Sequence, residues 1–187
     1  SKPAAGVIIH TGKVVSGEPK AGEPALVQVN RERRHAIMRN HTATHLLHAA
    51  LRKVLGEQVH QAGSAVDAER LRFDFNYPQA VSKDKLLEIE ALVNEAIWAD
   101  YPVVKQIKPL EQAKAEGAAA LFGEKYGAEV RTVRIGAEET ISYELCGGTH
   151  LENTANIGAF YIIAESSVAA GMRRIEAVTG SGAYAFA

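Results

Sequence analysis

The sequence predicts an α+β domain with a mostly antiparallel sheet, packed with two long helices and a short third one and preceded by a short β segment. Strand-like segments occur in pairs that are joined by short turns, as in antiparallel hairpins. Helical patterns separate these pairs, which is typical of α+β domains. The chain shows no internal repeat and no low-complexity segment that would indicate another architecture.

Length and composition indicate an ordinary globular domain. The chain has 187 residues, of which 47% are apolar and 23% are charged, and this length suits one domain with a core of its own. The formal net charge of -1 argues against nucleic-acid binding through bulk charge, although a local basic patch remains possible. No apolar run could span a bilayer and no signal-peptide pattern is present, so we expect no membrane partner and a cytoplasmic protein.

The first thirty residues are expected to form short strands. Apolar, β-branched runs at residues 7–9, 14–15 and 25–29 are separated by glycines and prolines. We expect residues 1–30 to be the remnant of a preceding β-barrel-like domain. The chain lacks an initiator Met, and residues 181–187 are expected to be a loop that begins a linker to a missing C-terminal region.

The longest helix is predicted to follow a basic stretch at residues 31–35 and to end at Leu55, before a capping Gly56. At about 100° per residue, one stripe of this helix is apolar: Ala43, Leu46, Leu47, Ala50, Leu51 and Val54. The opposite face carries His41, His45, His48 and Arg52. A histidine kept for core packing would fall within the apolar stripe, so the separation favours a functional role.

The remaining elements follow from alternation, capping and turn residues. Ser82 is a plausible N-cap for a second long helix that ends at Trp98, and an Ala-rich segment at residues 111–122 predicts a short helix ending at Gly123. Strands are predicted at residues 59–66, 71–75, 101–107, 129–135, 140–145, 158–165 and 172–178.

Two pairs of side chains have the spacing of metal ligands. His41 and His45 share one face of the predicted helix, and Cys146 precedes His150 by the same four residues, with Gly147 and Gly148 allowing a tight turn between them. Because Cys146 is the only cysteine, it can form no internal disulfide and its sulfur is free for a metal. Three imidazoles and one thiolate suit tetrahedral zinc. A buried thiol beside an unrelated surface histidine is the alternative.

His48 competes for the same role, since it lies on the face of His41 and His45. We predict that it is not a ligand, because Cys146 and His150 already complete a shell of four. A zinc peptidase would need a glutamate beside the first histidine, where this chain has Thr42, and a zinc deaminase would need a second cysteine. Thr44 and Gln61 supply small hydrogen-bonding groups near the metal set, which favours recognition of a small polar ligand.

Five segments, in uninterrupted order, resemble the editing domain of bacterial alanyl-tRNA synthetase. They are residues 39–52 (Arg-Asn-His-Thr-Ala-Thr-His-Leu-Leu-His-Ala-Ala-Leu-Arg), 71–75 (Leu-Arg-Phe-Asp-Phe), 120–127 (Ala-Leu-Phe-Gly-Glu-Lys-Tyr-Gly), 144–150 (Glu-Leu-Cys-Gly-Gly-Thr-His) and 173–180 (Arg-Arg-Ile-Glu-Ala-Val-Thr-Gly). The resemblance implies that residues 31–180 form a zinc-containing editing domain. A related domain occurs in threonyl-tRNA synthetase, but the paired glycines at 147 and 148 favour the alanyl family.

The resemblance further implies hydrolysis of the ester in tRNA(Ala) that carries serine or glycine. By this resemblance the zinc ligands are His41, His45, Cys146 and His150, the catalytic pocket contains Thr44 and Gln61, and substrate contacts come from Arg173, Gly147 and Gly148. Its partners would be the acceptor end of that tRNA and the remaining domains of the parent synthetase. A tRNA-binding module with structural zinc, or a different esterase or amidase, are the alternatives.

Basic side chains in two places are candidates for RNA contacts. Arg173 and Arg174 alternate on a predicted strand, so only one can face the site, and we assign the RNA contact to Arg173. Both could equally be surface charges. A second cluster precedes the first histidine and could contact phosphates or be a solvated helix face: Arg31, Arg33, Arg34 and Arg39.

Overall fold

The structure is a computed structural model that describes residues 7–120 and 126–187. The described residues form four α-helices: α1 (Arg31–Leu55), α2 (Lys83–Trp98), α3 (Leu110–Ala115) and α4 (Gly180–Phe186). They also form seven strands: β1 (Gln61–Val66), β2 (Leu71–Asn76), β3 (Val103–Pro109), β4 (Glu129–Gly136), β5 (Thr140–Leu145), β6 (Phe160–Ala169) and β7 (Met172–Thr179). This composition confirms the α+β prediction.

The strands make two antiparallel sheets. One sheet has the order β1-β2-β7-β6 and the other has the order β3-β4-β5. Helix α1 packs against α2 and against strands of both sheets, so the middle of the helix is buried on all sides. The largest fully buried side chains come from both sheets and both long helices: Phe73, Phe75, Phe160, Leu46, Leu47, Leu51, Leu71, Ile89, Ile97, Ile135, Ile157 and Ile175.

The caps of the two long helices fix their ends. The Asn30 side chain accepts a hydrogen bond from the amide of Arg33 (3.0 Å) at the start of α1, and Gly56 ends the helix with a φ of 115°, which a side chain rarely adopts. Ser82 caps α2 as predicted, by accepting a bond from the Lys85 amide. These local signals explain why α2 matches its predicted bounds and why α1 ends at Leu55 as predicted. Helix α1 begins earlier than predicted, at Arg31, because the Asn30 cap precedes the basic stretch, which therefore lies within the helix.

Three predicted elements differ from the structure. The third helix ends at Ala115 instead of continuing to residue 122, because Gly117 adopts a φ of 87° and Ala119 forms a bridge with Glu144 on the edge of β5. The end of that predicted helix, residues 121–123, lies outside the described residues. Residues 180–186, expected to be a loop, form α4, which is fixed to the sheet by the buried Ala183.

The strands expected within residues 6–30 are also absent from the described part of that segment. Within residues 7–30 only Val7 makes a bridge, and all of these residues are exposed. Their assignment to a preceding domain stays a prediction. No helix within residues 7–120 and 126–187 is long and apolar enough to cross a membrane.

Candidate metal centre

The fold brings the four predicted ligands together. His41 and His45 project from α1, while Cys146 and His150 lie in the loop that follows β5, and their potential ligand atoms all lie within 4.8 Å of one another. Cys146 Sγ lies 3.5 Å from His41 Nε2 and 3.2 Å from His150 Nε2. Around tetrahedral zinc, bond lengths of about 2.0–2.3 Å separate ligand atoms by roughly 3.3–3.6 Å. The Cys146 distances are therefore close to those that a zinc ion requires.

The chemistry of the donor atoms also fits a metal. His45 is only 5% exposed, yet its Nε2 is buried without a hydrogen-bond partner among the described residues. A buried, unpaired imidazole nitrogen is costly unless something else satisfies it. A metal ion bound by the neighbouring thiolate and imidazoles would do so.

Electrostatics within the group favour a thiolate. Burial alone would raise the pKa of the Cys146 thiol, but hydrogen bonds from His150 and His41 outweigh it and lower the pKa to about 3. For His150, burial is the main cause that lowers the pKa of the imidazole to about 4. The sulfur is therefore ionised and His150 is neutral near pH 7, which are the states that bind a metal.

Glu144 contacts the group of four, and sequence reasoning did not single it out. Its carboxylate lies between two histidines of α1: Oε1 accepts a hydrogen bond from His48 Nδ1 (2.8 Å) and Oε2 lies 2.8 Å from His45 Nδ1. The second contact is an ion pair and not a hydrogen bond, because His45 Nδ1 has no hydrogen-bond partner. The signal in the sequence that could have identified Glu144 is a charged residue on a predicted strand, two positions before Cys146.

The negative charge of Glu144 is coupled to the protonation of His45. Burial would raise the pKa of this carboxyl, but the charge on His45 and the hydrogen bond from His48 hold the pKa far below its usual range. Burial would likewise lower the pKa of His45, but the charge of Glu144 outweighs it and raises the pKa to about 10. His48 contacts Glu144 and does not belong to the group of four whose ligand atoms converge. That it binds no metal stays a prediction.

Thr42 contacts His150, one member of the second ligand pair. It is fully buried, with Oγ1 3.4 Å from His150 Nδ1, and it accepts a hydrogen bond from the Leu151 amide (3.1 Å). If His150 binds a metal through Nε2, its Nδ1 carries the proton and can donate it to Thr42. This contact of Thr42 was not predicted from the sequence, in which Thr42 was noted only because a zinc peptidase has glutamate at that position.

The two glycines of the loop differ in what they do. A Cβ at Gly148 would lie 1.9 Å from Cε1 of His41, whereas a Cβ at Gly147 would meet nothing within 4 Å. Arg131 holds the same loop, since its guanidinium donates to the carbonyls of Cys146 (3.3 Å) and Gly148, and its own carbonyl accepts from the Cys146 amide (2.9 Å). Gly148 is required by close packing, and Gly147 leaves an exposed position beside the group.

The predicted pocket residues lie in different surroundings. Thr44 is buried one residue before His45, and its hydroxyl donates to the Asn40 carbonyl (2.8 Å), which leaves its oxygen able to accept only. Gln61 is half-buried at the start of β1, next to a β-bulge, and its Nε2 lies 3.5 Å from Ser64 Oγ. The roles of both residues stay predictions.

Both arginines of β7 are already paired with carboxylates. Arg173 makes two hydrogen bonds to Glu165 (2.6 and 2.7 Å), and Arg174 makes two to Asp74 (2.7 and 2.8 Å). An RNA contact from Arg173 stays a prediction. For such a contact the Arg173 guanidinium would have to bind Glu165 and the RNA together, or give up its hydrogen bonds to Glu165.

A polar cavity of about 200 Å³ adjoins the group at Glu144 and His48. His48 Nε2 is buried without a hydrogen-bond partner among the described residues. A larger groove of about 670 Å³ lies between α1, α2 and the β4–β5 hairpin, but none of the four ligand residues lines it. None of the four lines the smaller cavity either, and its link to the group is Glu144, which contacts His45.

Comparison with known proteins agrees with the motifs. The family described as "Threonyl and Alanyl tRNA synthetase second additional domain" matches residues 130–176. The chain is 55% identical over 178 residues to the alanine--tRNA ligase of Shouchella clausii (strain KSM-K16), covering 95% of this chain and 20% of that protein. It is 53% identical to the alanine--tRNA ligases of Pseudothermotoga lettingae, over 95% of this chain, and Bacillus subtilis (strain 168), over 94%, and covers 20% of each.

The chain thus spans about one fifth of the length of the curated relatives it matches. The similarity extends over nearly all of its own length, well beyond the five motifs and the metal group.

Proposed function

We propose that this chain, which is similar to the editing domain of alanyl-tRNA synthetases along nearly its whole length, hydrolyses the ester of tRNA(Ala) mischarged with serine or glycine. The observation that carries this proposal is the convergence of His41, His45, Cys146 and His150 within 4.8 Å in such a chain. A synthesis site that accepts alanine cannot strongly reject an amino acid that adds one hydroxyl or lacks one methyl, so a second site must remove the error.

Zinc is the metal that we propose for the four ligands, on the basis of the nitrogen and sulfur donors. When bound, it would supply Lewis-acid chemistry or hold the wall of the pocket in place. The chain's own residues prepare the site, because Glu144 orients His45 and Thr42 orients His150. Gly148 allows the loop to pass directly against His41.

In the proposed reaction a water molecule attacks the ester carbonyl. The bond between the carbonyl carbon and the ribose oxygen breaks, the ribose oxygen takes a proton, and the products are the free amino acid and the tRNA with its terminal hydroxyl. Because the ester is already activated, no strong general base is required. This agrees with Thr42 standing where a peptidase has its glutamate.

We assign discrimination between serine and alanine to Thr44 and Gln61. Groups that hydrogen-bond the serine hydroxyl would be left unpaired by alanine, and that penalty would protect the correct product. The Thr44 hydroxyl already donates to Asn40, so its oxygen could accept a bond from the serine hydroxyl. Gly147, which is exposed beside the group, is placed where a substrate could approach the backbone.

The test is deacylation of Ser-tRNA(Ala), Gly-tRNA(Ala) and Ala-tRNA(Ala) by this chain. We expect rapid loss of serine and glycine and slow loss of alanine, and we expect Cys146→Ala to remove this activity. If all three esters are lost at the uncatalysed rate while the RNA is bound, the chain is a binding module. Four protein ligands close a zinc shell, which is the observation that favours this second candidate.

A further inference from the structure

We propose that the 3′ strand of the bound RNA runs from the metal group along α1 toward the N-terminus of the helix, with its phosphates on Arg34 and Arg31. This proposal rests on the proposed function, because that function places the 3′ end of an RNA beside His41 and His45. It adds the path of the strand and the side chains that bind it.

The arginines of the basic cluster project from α1 in different directions. At about 100° per residue, Arg34 lies roughly 20° from His41 and from His45, on the midline between them. Arg31 lies about 60° from that midline. By the same count, Arg33 is about 100° away and Arg39 about 140° away. Only part of the basic cluster therefore shares a face with the metal ligands.

The guanidinium groups of the cluster also differ in whether they already have a partner. Arg33 has an ion pair with Glu69 (3.7 Å), and Arg39 Nε donates to the Asn156 carbonyl (3.1 Å). Among the residues that the structure describes, the side chains of Arg31 and Arg34 have no ion pair and no hydrogen bond. The two arginines that face the histidine side are thus the two that can bind an anion without losing a partner.

Exposure changes along the stripe of α1 that carries His45, His41 and Arg34. His45 is buried, His41 is half-buried and Arg34 is exposed, so the stripe leads outward from the metal group to solvent. Seven residues of helix separate Arg34 from His41, which is about 10 Å. Nucleotides next to the reacting end would therefore pass Arg34. At the other end of α1 the stripe reaches Arg52, whose charge is already paired with Glu57.

Phosphate is the group that these side chains suit. Arginine presents a planar fork of donors that matches phosphate oxygens, and the first turn of a helix adds a favourable potential for an anion. The chain's formal net charge of -1 gives no general attraction for RNA, so binding has to come from a local set of cations such as this.

The experiment measures binding of an uncharged RNA stem–loop with the acceptor sequence of tRNA(Ala) and a single-stranded 3′ end, by fluorescence anisotropy at several salt concentrations. Each phosphate contact to a single strand contributes a slope of about 0.7 in log K against log[salt]. We expect Arg34→Ala to weaken binding about fivefold at 0.1 M salt and Arg31→Ala/Arg34→Ala about 25-fold, with slopes reduced by about 0.7 and 1.4.

Arg33→Ala is the matched control, since it removes the same charge from the same turn of α1 but from another face. We expect its affinity and salt slope to equal those of the unaltered chain. Equal loss in Arg33→Ala and Arg34→Ala would overturn the proposal, as would unchanged binding in the double variant or no measurable binding by the unaltered chain at low salt. Circular dichroism of each variant verifies that α1 is intact.

The outcome separates this proposal from the proposed function. If the unaltered chain binds the stem–loop through Arg34 but hydrolyses no charged tRNA, the hydrolytic function fails and the path of the RNA stands. If charged tRNA is hydrolysed at the same rate and with the same KM by the unaltered chain and by the double variant, the path is wrong and the hydrolytic function stands.

Discussion

At the scale of single residues, the metal group depends on side chains and backbone positions that are not ligands. Glu144 contacts His45, Thr42 contacts His150, and Gly148 leaves room for His41. Groups of this kind fix the orientation of the ligands and their tautomers. We therefore expect substitutions at these positions to weaken metal binding while leaving all four ligands present.

Gly148→Ala tests the close packing of the loop against α1. The added Cβ would lie 1.9 Å from His41 Cε1, so the flexible imidazole has to move and the ligand is displaced while the fold survives. We expect zinc affinity, measured by competition with a chromophoric chelator, to fall about tenfold or more. Gly147→Ala is the control, because its Cβ would meet nothing within 4 Å. Equal affinities of the two variants would contradict this role of Gly148.

Glu144→Gln tests the carboxylate between the two histidines. The amide keeps the shape of the side chain but removes the charge that contacts His45 and His48. We expect a 10- to 100-fold loss of zinc affinity, which is typical for a group that orients a metal-binding histidine. The exposed Glu152 supplies a control, and a Glu152→Gln variant that lost as much affinity as Glu144→Gln would refute a specific role.

The pH dependence of zinc binding follows from the pKa values of His45 and Cys146. Charge on Glu144 raises the pKa of His45 to about 10, against the effect of burial, whereas hydrogen bonds lower the pKa of Cys146 to about 3. Zinc needs the neutral imidazole, so binding near neutral pH should release about one proton, from His45, and none from the thiol.

Affinity should therefore rise about tenfold per pH unit between pH 7 and 9. Isothermal titration calorimetry in buffers of different ionisation enthalpy measures the number of protons. Release of two protons, or an affinity that does not change over this range, would contradict the assignment.

At the scale of elements, local signals decided which predictions held. The two long helices end at Leu55 and Trp98 as predicted because capping residues act within one turn of the chain. The hairpins were predictable because their turns lie between alternating segments. The short helix was predicted too long, since Ala119 hydrogen-bonds to the distant strand β5 and Ala-rich sequence carries no sign of that contact.

In the candidate site, too, features set by local spacing were predictable and features set by distant contacts were not. The spacing within each pair of ligands predicted which four residues would meet. The role of Glu144 was not predictable, because it depends on contacts with His45 and His48, almost a hundred residues away in the chain. The strands expected within residues 7–30 are absent from the described residues. A strand pattern in the sequence does not by itself supply the neighbouring strand with which it has to pair.

The ion pair between Asp74 on β2 and Arg174 on β7 should stabilise the pairing of these strands. It is bidentate, and Asp74 is only 8% exposed. We expect Asp74→Asn to lower the free energy of unfolding by about 2 kcal/mol in chemical denaturation at pH 7. Arg70→Ala, which removes an exposed ion pair with Glu176, should cost less than about 1 kcal/mol.

The sign of the pH effect follows from the Asp74 carboxyl. The hydrogen bond from Arg174 lowers the pKa of Asp74, so its contribution is present above the usual pKa of an aspartate, about 3.9, and is lost as the pH falls below it. The difference in stability between Asp74→Asn and the unaltered chain should therefore shrink below about pH 3.9. A constant difference from pH 7 to pH 2.5 would contradict this assignment.

At the scale of the whole molecule, the metal group joins the two sheets. Helix α1 packs on both of them, while the loop carrying Cys146 and His150 continues from β5 of the three-stranded sheet. A metal bound between helix and loop would therefore stabilise the contact between the two halves of the domain. An ion that binds only the folded chain raises the free energy of unfolding in proportion to the logarithm of its concentration.

Removal of the metal should accordingly lower the melting temperature. With zinc at about 100 times its Kd, binding contributes about 2.7 kcal/mol, which for a chain of this size is a shift of roughly 5–10 °C. Scanning calorimetry of the zinc-loaded chain, before and after a chelator, measures the shift. A Cys146→Ala variant should melt at the same temperature with and without the chelator, and a full shift in that variant would show that zinc binds elsewhere.

The separation of the two ligand pairs in the chain also dictates when the site can form. His41 and Cys146 are 105 positions apart, so a chain emerging from the ribosome presents two imidazoles long before the thiolate and the last histidine exist. Contacts so distant in sequence form late, after the loops between them have closed. Zinc binding by all four residues should therefore occur at the end of folding, so a chain that holds the ion is one that has folded completely.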